Sequence, residues 1–275
     1  VEPDALLEEL AATVGSRREA GWLLEEVQSL AEPARTDRAR TLAARRAAGE
    51  PLQYVVGHWP FRDVDLLVDA RALIPRPETE LLVGLALERL AALGRPGVAC
   101  DLGCGTGAIA LSLAVEAAAR RLEVQLVATD VDDAALALAG RNVARVGARG
   151  VELRCGSWYE ALPVSLRGRV DLLCANPPYV AHAARASLAA ELGYEPDGAL
   201  FADDGTDGTP GLAAVEAVVR GAAAWLTPGG TLLVEHGAGQ RAAVTALASA
   251  SGLVDLVDHD DLGGRPRILD ARRPA

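Results

Sequence analysis

The sequence predicts an α/β fold: a doubly wound, mostly parallel sheet that ends in an antiparallel hairpin and follows a small helical domain. Three observations carry this. From Pro75 onward, helix-patterned and strand-patterned segments alternate, the order that lays helices on both faces of a parallel sheet. The first strand runs straight into a glycine-rich loop and a helix, "VACDLGCGTGAIALSLA". The last two strand-like runs, 253–258 and 266–271, are joined by a short loop with too little chain for a helical crossover, so they pair antiparallel.

Taken in order, residues 1–50 read as the helical domain. "PDALLEELAATVG" sets Leu6, Leu7 and Leu10 at helical spacing, with Pro3 near the start. "SRREAGWLLEEVQSLA" and "TDRARTLAARRAAG" follow, opened by Ser16 and Thr36 as cap candidates, and Gly49 closes the set. Residues 51–74 change to short β-like alternations with a turn expected at Gly57–Pro60, and read as a β-hairpin linker. Residues 75–275 form the sheet domain. Its helices are expected near 78–93, 107–119, 132–146, 211–225 and 239–250. Its strands are expected at 98–102, 124–129, 151–155, 170–175 and 230–236, before the terminal hairpin.

A chain of 275 residues with 50% hydrophobic content builds one large core with room for a small second one. No apolar run nears the ~18 uncharged residues of a membrane span. The acidic, amphipathic start is no secretory signal. The four cysteines (Cys100, Cys104, Cys155, Cys174) are scattered, and three lie in or beside apolar runs, where cysteine behaves as a small buried hydrophobe. The expectation is therefore a cytoplasmic protein without disulfide or metal. Net charge is −11, from 27 basic and 38 acidic residues, and no basic patch stands out, which argues against a nucleic-acid backbone as the main partner. "DDGTDG" (203–208) fails the calcium-loop pattern, with Gly205 at a ligand position and Ala214 where the bidentate Glu belongs.

In the glycine-rich loop, Gly103, Gly105 and Gly107 let the chain turn tightly and approach a ligand closely, with Cys104 and Thr106 between them. Alone, such a turn serves NAD, a flavin, S-adenosylmethionine or nothing. The spacing is G-x-G-x-G, unlike the G-x-G-x-x-G of pyrophosphate binders. Asp101, just before the first glycine, suits a positively charged sulfonium better than a diphosphate. Asp130 ends "LVATD", where a ribose-binding acid belongs in this topology; its alternative role is to cap the helix starting near Asp132. Trp158, in "CGSWYEAL", either flanks an adenine or covers the core edge.

The apolar run "VDLLCA" stops abruptly at "NPPY". Prolines carry no ladder N–H and lock the backbone, so the strand ends in a stiff elbow bearing one amide and one aromatic. This elbow resembles that of methyltransferases acting on planar amino groups. With "GEPLQYVVG" (49–57), "LIPRPETELLV" (73–83), "DLGCGTGAIAL" (101–111), "NPPYV" (176–180), "EPDGALFADDGTDG" (195–208) and "LLVEHG" (232–237) in this order, the chain resembles the HemK/PrmC family of protein-(glutamine-N5) methyltransferases. The resemblance spans roughly residues 49 to 271.

That resemblance implies a class I (Rossmann-like) S-adenosylmethionine-dependent methyltransferase sheet. It implies S-adenosyl-L-methionine as methyl donor, with S-adenosyl-L-homocysteine as product. Class I peptide-chain release factors become the partners, modified on the Gln of a Gly-Gly-Gln loop and docked by the N-terminal domain. That domain is shorter here than the family's usual bundle and matches it poorly. The resemblance also places Thr79 and Glu80 of "IPRPETE" against cofactor and substrate, although Pro77 and the acids equally suit a helix start.

An amide nitrogen is a poor nucleophile, and two acceptors aimed at its N–H groups would hold it in line with the methyl. Asn176 offers its side-chain oxygen, Pro177 its carbonyl, Pro178 stiffens the elbow, and Tyr179 packs on the planar amide. No general base is required, which fits the lack of a catalytic role for the neighbouring His182. The expected protein is a monomer without direct nucleic-acid or membrane contact. Three rivals remain at this level: an N6-adenine or N4-cytosine nucleic-acid methyltransferase, a nicotinamide oxidoreductase, and a non-catalytic adaptor.

Overall fold

The computed structural model describes residues 3–275. The N-terminal helices are α1 (Pro3–Val14), α2 (Arg17–Glu26), α3 (Ala34–Ala47) and α4 (Leu52–Val56). Leu6, Leu10, Leu23, Leu42, Leu52 and Val55 close a core of their own between them. Ser16 caps α2, its hydroxyl accepting from Glu19 N–H at 3.2 Å. Thr36 does not cap α3. That helix starts two residues earlier, after Pro33, and the Thr36 hydroxyl instead donates to Glu32 at 2.7 Å.

Residues 52–56 are helical rather than β-like, because Leu52 and Val55, three apart, both drop into the N-terminal core. Gly57 ends α4 in the left-handed region at φ 86°, so it is a helix stop and not a hairpin turn. The hairpin itself is β1 (His58–Phe61) and β2 (Val64–Leu67), with Phe61 opposite Val64, so its turn lies at Arg62–Asp63. Arg62 then ties the hairpin to two helices: its guanidinium pairs with Glu116 and donates to the Glu80 carbonyl at 2.9 Å.

The sheet domain follows the predicted alternation. Its elements are α5 (Pro77–Ala92), β3 (Gly97–Leu102), α6 (Ala108–Ala119), β4 (Val124–Asp130), α7 (Asp133–Val146), β5 (Val151–Cys155) and β6 (Val170–Ala175). Short β7 (Val180–Ala181), α8 (Asp197–Leu200) and β8 (Phe201–Ala202) come next, then α9 (Ala213–Trp225), β9 (Leu226–Glu235), α10 (Arg241–Ala250), β10 (Val254–Asp260) and β11 (Pro266–Arg272). The seven-stranded sheet has the order β10-β11-β9-β6-β3-β4-β5. β9, β6, β3, β4 and β5 are parallel, whereas β11 and β10 are antiparallel.

Both faces of the sheet are buried. Cys100, Leu102, Leu173, Ala175, Leu232 and Val234 face α9 and α10; Ala99, Leu172, Cys174 and Leu233 face α5 and α6. This period-2 division explains the nearly unbroken apolar strands. The chain leaves β3 toward β4 and β5, then returns to β3's other side as β6, with Leu102 beside Ala175. A crevice opens outside the carboxyl ends of strands at such a switch point.

Candidate active site

A cavity of about 360 Å³ fills that crevice. Its floor is the loop Gly103–Thr106, its sides are Asp130–Asp132 and Gly156–Trp158, and Asn176–Pro178 form one end. Residues 71–76 and part of 196–199 close it from above.

The glycines are required by the packing at two points. Gly103 adopts φ 76°, and a Cβ there would stand 3.1 Å from the Trp158 ring. Gly107 sits at φ 84° as N-cap of α6, with Leu111 3.1 Å from where a Cβ would lie. The loop is held by its own backbone, since Gly103 and Cys104 N–H both donate to the Thr129 carbonyl at 2.8 Å. Asp130 locks it further: Oδ2 accepts from Gly105 N–H at 2.8 Å, and Oδ1 from Asp132 N–H at 3.0 Å. Burial raises the Asp130 carboxyl, and these two N–H groups oppose the rise. The cap of α7 is Asp132, whose carboxylate accepts from Ala134 N–H, so Asp130 remains on the cavity wall.

Asp101 lies elsewhere. Its carboxylate is fully buried and does not line the cavity. Oδ2 accepts from Ala110 N–H at 3.1 Å, in the first turn of α6, and Oδ1 has no partner among the described residues. Burial pushes this carboxyl up to about 7; the Ala110 N–H pulls it down and the Asp130 charge adds to the rise. Strand parity is the cause: Ala99 faces α6, and Asp101, two residues on, points the same way.

The elbow is wired to two elements that its sequence does not reveal. Asn176 Nδ2 donates to Thr79 Oγ1 at 3.0 Å, and that hydroxyl donates to Glu235 Oε2 at 2.7 Å. Asn176, Pro177, Pro178 and Thr79 all line the cavity. Among the described residues no donor takes Asn176 Oδ1 or the Pro177 carbonyl. Tyr179 departs from expectation. It turns away from the cavity, its hydroxyl donating to Glu235 Oε1 at 3.0 Å and its carbonyl accepting from Gln240. Glu80 also faces away, accepting from Arg62 N–H at 3.2 Å. Gly107 shapes the helix start behind the wall, whereas Cys104, Gly105, Thr106 and Trp158 stand on the wall.

Sequence reasoning gave no role to Glu235, Arg267 or Glu195. Glu235 ends β9 at 0% exposure, and burial raises its carboxyl against the hydrogen bonds from Thr79 and Tyr179 and the Arg267 charge. A lone acid closing an apolar strand was the available signal. Glu195 is buried as well; Oε2 accepts from Ile74 N–H at 2.9 Å, and Oε1 pairs with Arg76. Tyr54 supports the same segment, its hydroxyl donating to the Ala72 carbonyl at 2.8 Å.

The donor set fits a bound S-adenosylmethionine. It combines a largely apolar slot, a floor where Gly103 and Gly105 carry no side chain, and an Asp130 carboxylate able to accept from a ribose. Among the described residues no group of three or more His, Cys, Asp or Glu is placed to hold a metal ion, and no helix is long and apolar enough to cross a membrane.

The comparisons agree with this architecture. Residues 79–200 match the methyltransferase small domain family. A methyltransferase structure from Pyrococcus furiosus shares the fold at TM-score 0.54 and 17% identity, covering 87% of this chain and 98% of its own. A 16S rRNA methyltransferase from T. thermophilus, solved in complex with AdoMet and guanosine, does so at TM-score 0.53 and 20% identity over 78% of this chain and 49% of its own. Sequence similarity reaches further. The chain is 42% identical to the release factor glutamine methyltransferase of Bordetella pertussis over 251 residues, 91% of this chain and 88% of that one. It is 41% identical to that of Xylella fastidiosa (strain Temecula1), over 92% and 87% of the two chains. Relatedness of this extent, over a methyltransferase sheet whose switch-point crevice carries the Asn-Pro-Pro-Tyr elbow, makes the chain a member of the release factor glutamine methyltransferase family.

Proposed function

We infer that the protein methylates the side-chain amide nitrogen of the glutamine in the Gly-Gly-Gln loop of a class I release factor, as a cytoplasmic monomer acting on protein rather than nucleic acid. The observation that carries the reading is the pairing at the elbow. Asn176 spends its NH₂ on Thr79, which among the described residues leaves Oδ1 and the neighbouring Pro177 carbonyl as two unclaimed acceptors, both on residues that line the cavity. A primary amide presents two N–H donors in one plane. Two fixed acceptors orient it and favour the positive charge that develops on nitrogen.

When bound, S-adenosylmethionine supplies an electrophilic methyl and leaves as neutral S-adenosylhomocysteine. Asp130, the Gly103–Gly107 loop and Trp158 are assigned to holding it. As the N–C bond forms, the acceptors at Asn176 and Pro177 draw on the two N–H groups, and one proton then passes to water. No side-chain base is assigned.

The test uses methyl-labelled S-adenosylmethionine with purified release factor carrying Gly-Gly-Gln or Gly-Gly-Ala, and with duplex and single-stranded DNA in parallel. Label confined to the Gln form supports the reading. Label on DNA alone means that the elbow holds a base.

A further inference from the structure

We propose that Glu235 and Thr79 are positioning residues for the methyl transfer, fixing the Asn176 amide so that its oxygen, and not its NH₂, faces the substrate. The inference rests on the glutamine reading above.

An asparagine amide has two faces of nearly equal shape, and only one suits this site. Turned the wrong way, its NH₂ would oppose the N–H groups of the substrate. The elbow does not decide between the faces, because prolines stiffen the main chain and leave χ2 of Asn176 free. The decision comes from β9 and α5. Glu235 lies on the face of β9 that Leu233 shares with α5, and Thr79 stands in the first turn of α5.

Two chains of donors converge on the Glu235 carboxylate. On one arm, Arg267 Nη1 lies 3.4 Å from the Tyr179 hydroxyl, which donates to Oε1 at 3.0 Å. On the other, Asn176 Nδ2 donates to Thr79 Oγ1 at 3.0 Å, and Thr79 donates to Oε2 at 2.7 Å. The ends fix the direction. A guanidinium only donates, and both Glu235 oxygens accept, Oε1 from Tyr179 and Oε2 from Thr79. Thr79 has a single proton and gives it to Glu235, so its oxygen is left to accept. The Asn176 group that reaches it is therefore the NH₂.

Stability alone gives little reason for this arrangement. A carboxylate at 0% exposure loses its hydration, and well-packed apolar groups commonly hold such a position at no loss. What an apolar group cannot do is accept two hydrogen bonds and so set the polarity of the arm reaching Asn176. Arg267, whose guanidinium carbon is 5.9 Å from the Tyr179 ring centre, is the cation that accompanies the buried acid.

Thr79→Val keeps the shape of the side chain and removes the relay oxygen; Thr79→Ser keeps the oxygen. For Thr79→Val we expect a loss in kcat of about 10- to 100-fold on the release factor. S-adenosylmethionine binding by calorimetry should stay near the parent's, while the melting temperature should fall, because the buried Glu235 oxygen and the Asn176 NH₂ lose a partner. Thr79→Ser should recover most of kcat. Because Thr79 acts through Asn176, the double variant Thr79→Val/Asn176→Ala should be no slower than Asn176→Ala alone. Glu235→Leu should follow Thr79→Val; where its melting curve shows a disturbed fold, the Thr79 variants decide. Parental kcat in Thr79→Val, losses that multiply in the double variant, or a loss confined to cofactor affinity would each overturn the relay. An unsubstituted enzyme that leaves the release factor unlabelled overturns the glutamine reading, and the inference with it.

Discussion

The main-chain N–H of Ile74 donates to the buried carboxylate of Glu195 at 2.9 Å, across 121 residues of chain. This bond, with the Arg76–Glu195 ion pair, joins the two segments that cover the cavity. Glu195→Ala leaves a buried N–H and a guanidinium without their acceptor. We expect a stability loss of about 1–3 kcal/mol by denaturant titration, together with weaker cofactor binding. Glu195→Gln keeps an acceptor for Ile74 and should recover much of the stability. Wild-type cofactor affinity in the alanine variant would show that the cover is held from elsewhere.

Asp130 has two tasks, pinning Gly105 and Asp132 and facing the cavity. Asp130→Ala should weaken S-adenosylmethionine binding by about 10- to 100-fold, since two hydrogen bonds to a charged group are lost. At saturating cofactor kcat should fall much less. Calorimetry and steady-state kinetics on the same sample separate the two effects.

Asn176→Ala is expected to do the reverse. Cofactor binding should stay within a few-fold of the parent, while kcat drops by about 10²–10³, the usual cost of removing one preorganised electrostatic partner. Equal loss of cofactor affinity in the Asn176 and Asp130 variants would mean that the roles are wrongly divided.

The Asp101 carboxyl is raised from 3.8 to about 7 by burial, so its ionisation disfavours the folded state. For an acid shifted upward, the native state binds the extra proton. Its stability contribution is whole below 3.8 and declines as pH rises toward about 7. Asp101→Asn retains an acceptor for Ala110 and removes the titration. Its melting temperature should depend less on pH between 4 and about 7, and above that window the variant should match or exceed the parent. Parallel pH profiles for the two proteins would rule this out.

Much of the fold was legible because both faces of the sheet are buried, so its strands stand out as apolar runs and their helices by spacing. The glycine loop and the elbow were legible for a different reason: their residues are poor choices for a strand or helix unless something must approach the backbone. What escaped was set by partners far away in sequence. Residues 52–56 look β-like in isolation and become helical because Leu52 and Val55 share the N-terminal core. Thr79 and Glu235 meet across 156 residues, which no local pattern records. Tyr179 was expected to pack on the substrate amide, yet which side of the elbow its ring takes depends on Glu235 and Gln240. Asp101 was misread for want of strand parity, a signal the sequence did contain.

Two of the strands around the switch point end on an acid, Asp130 on β4 and Glu235 on β9, and of the two only Asp130 lines the cavity. Between them β6 runs on into the neutral Asn176. Charge on the cavity wall therefore sits with Asp130, Asp132, Arg71 and Arg76, and the elbow end is uncharged. A neutral amide entering there meets no ion that would first have to lose its hydration.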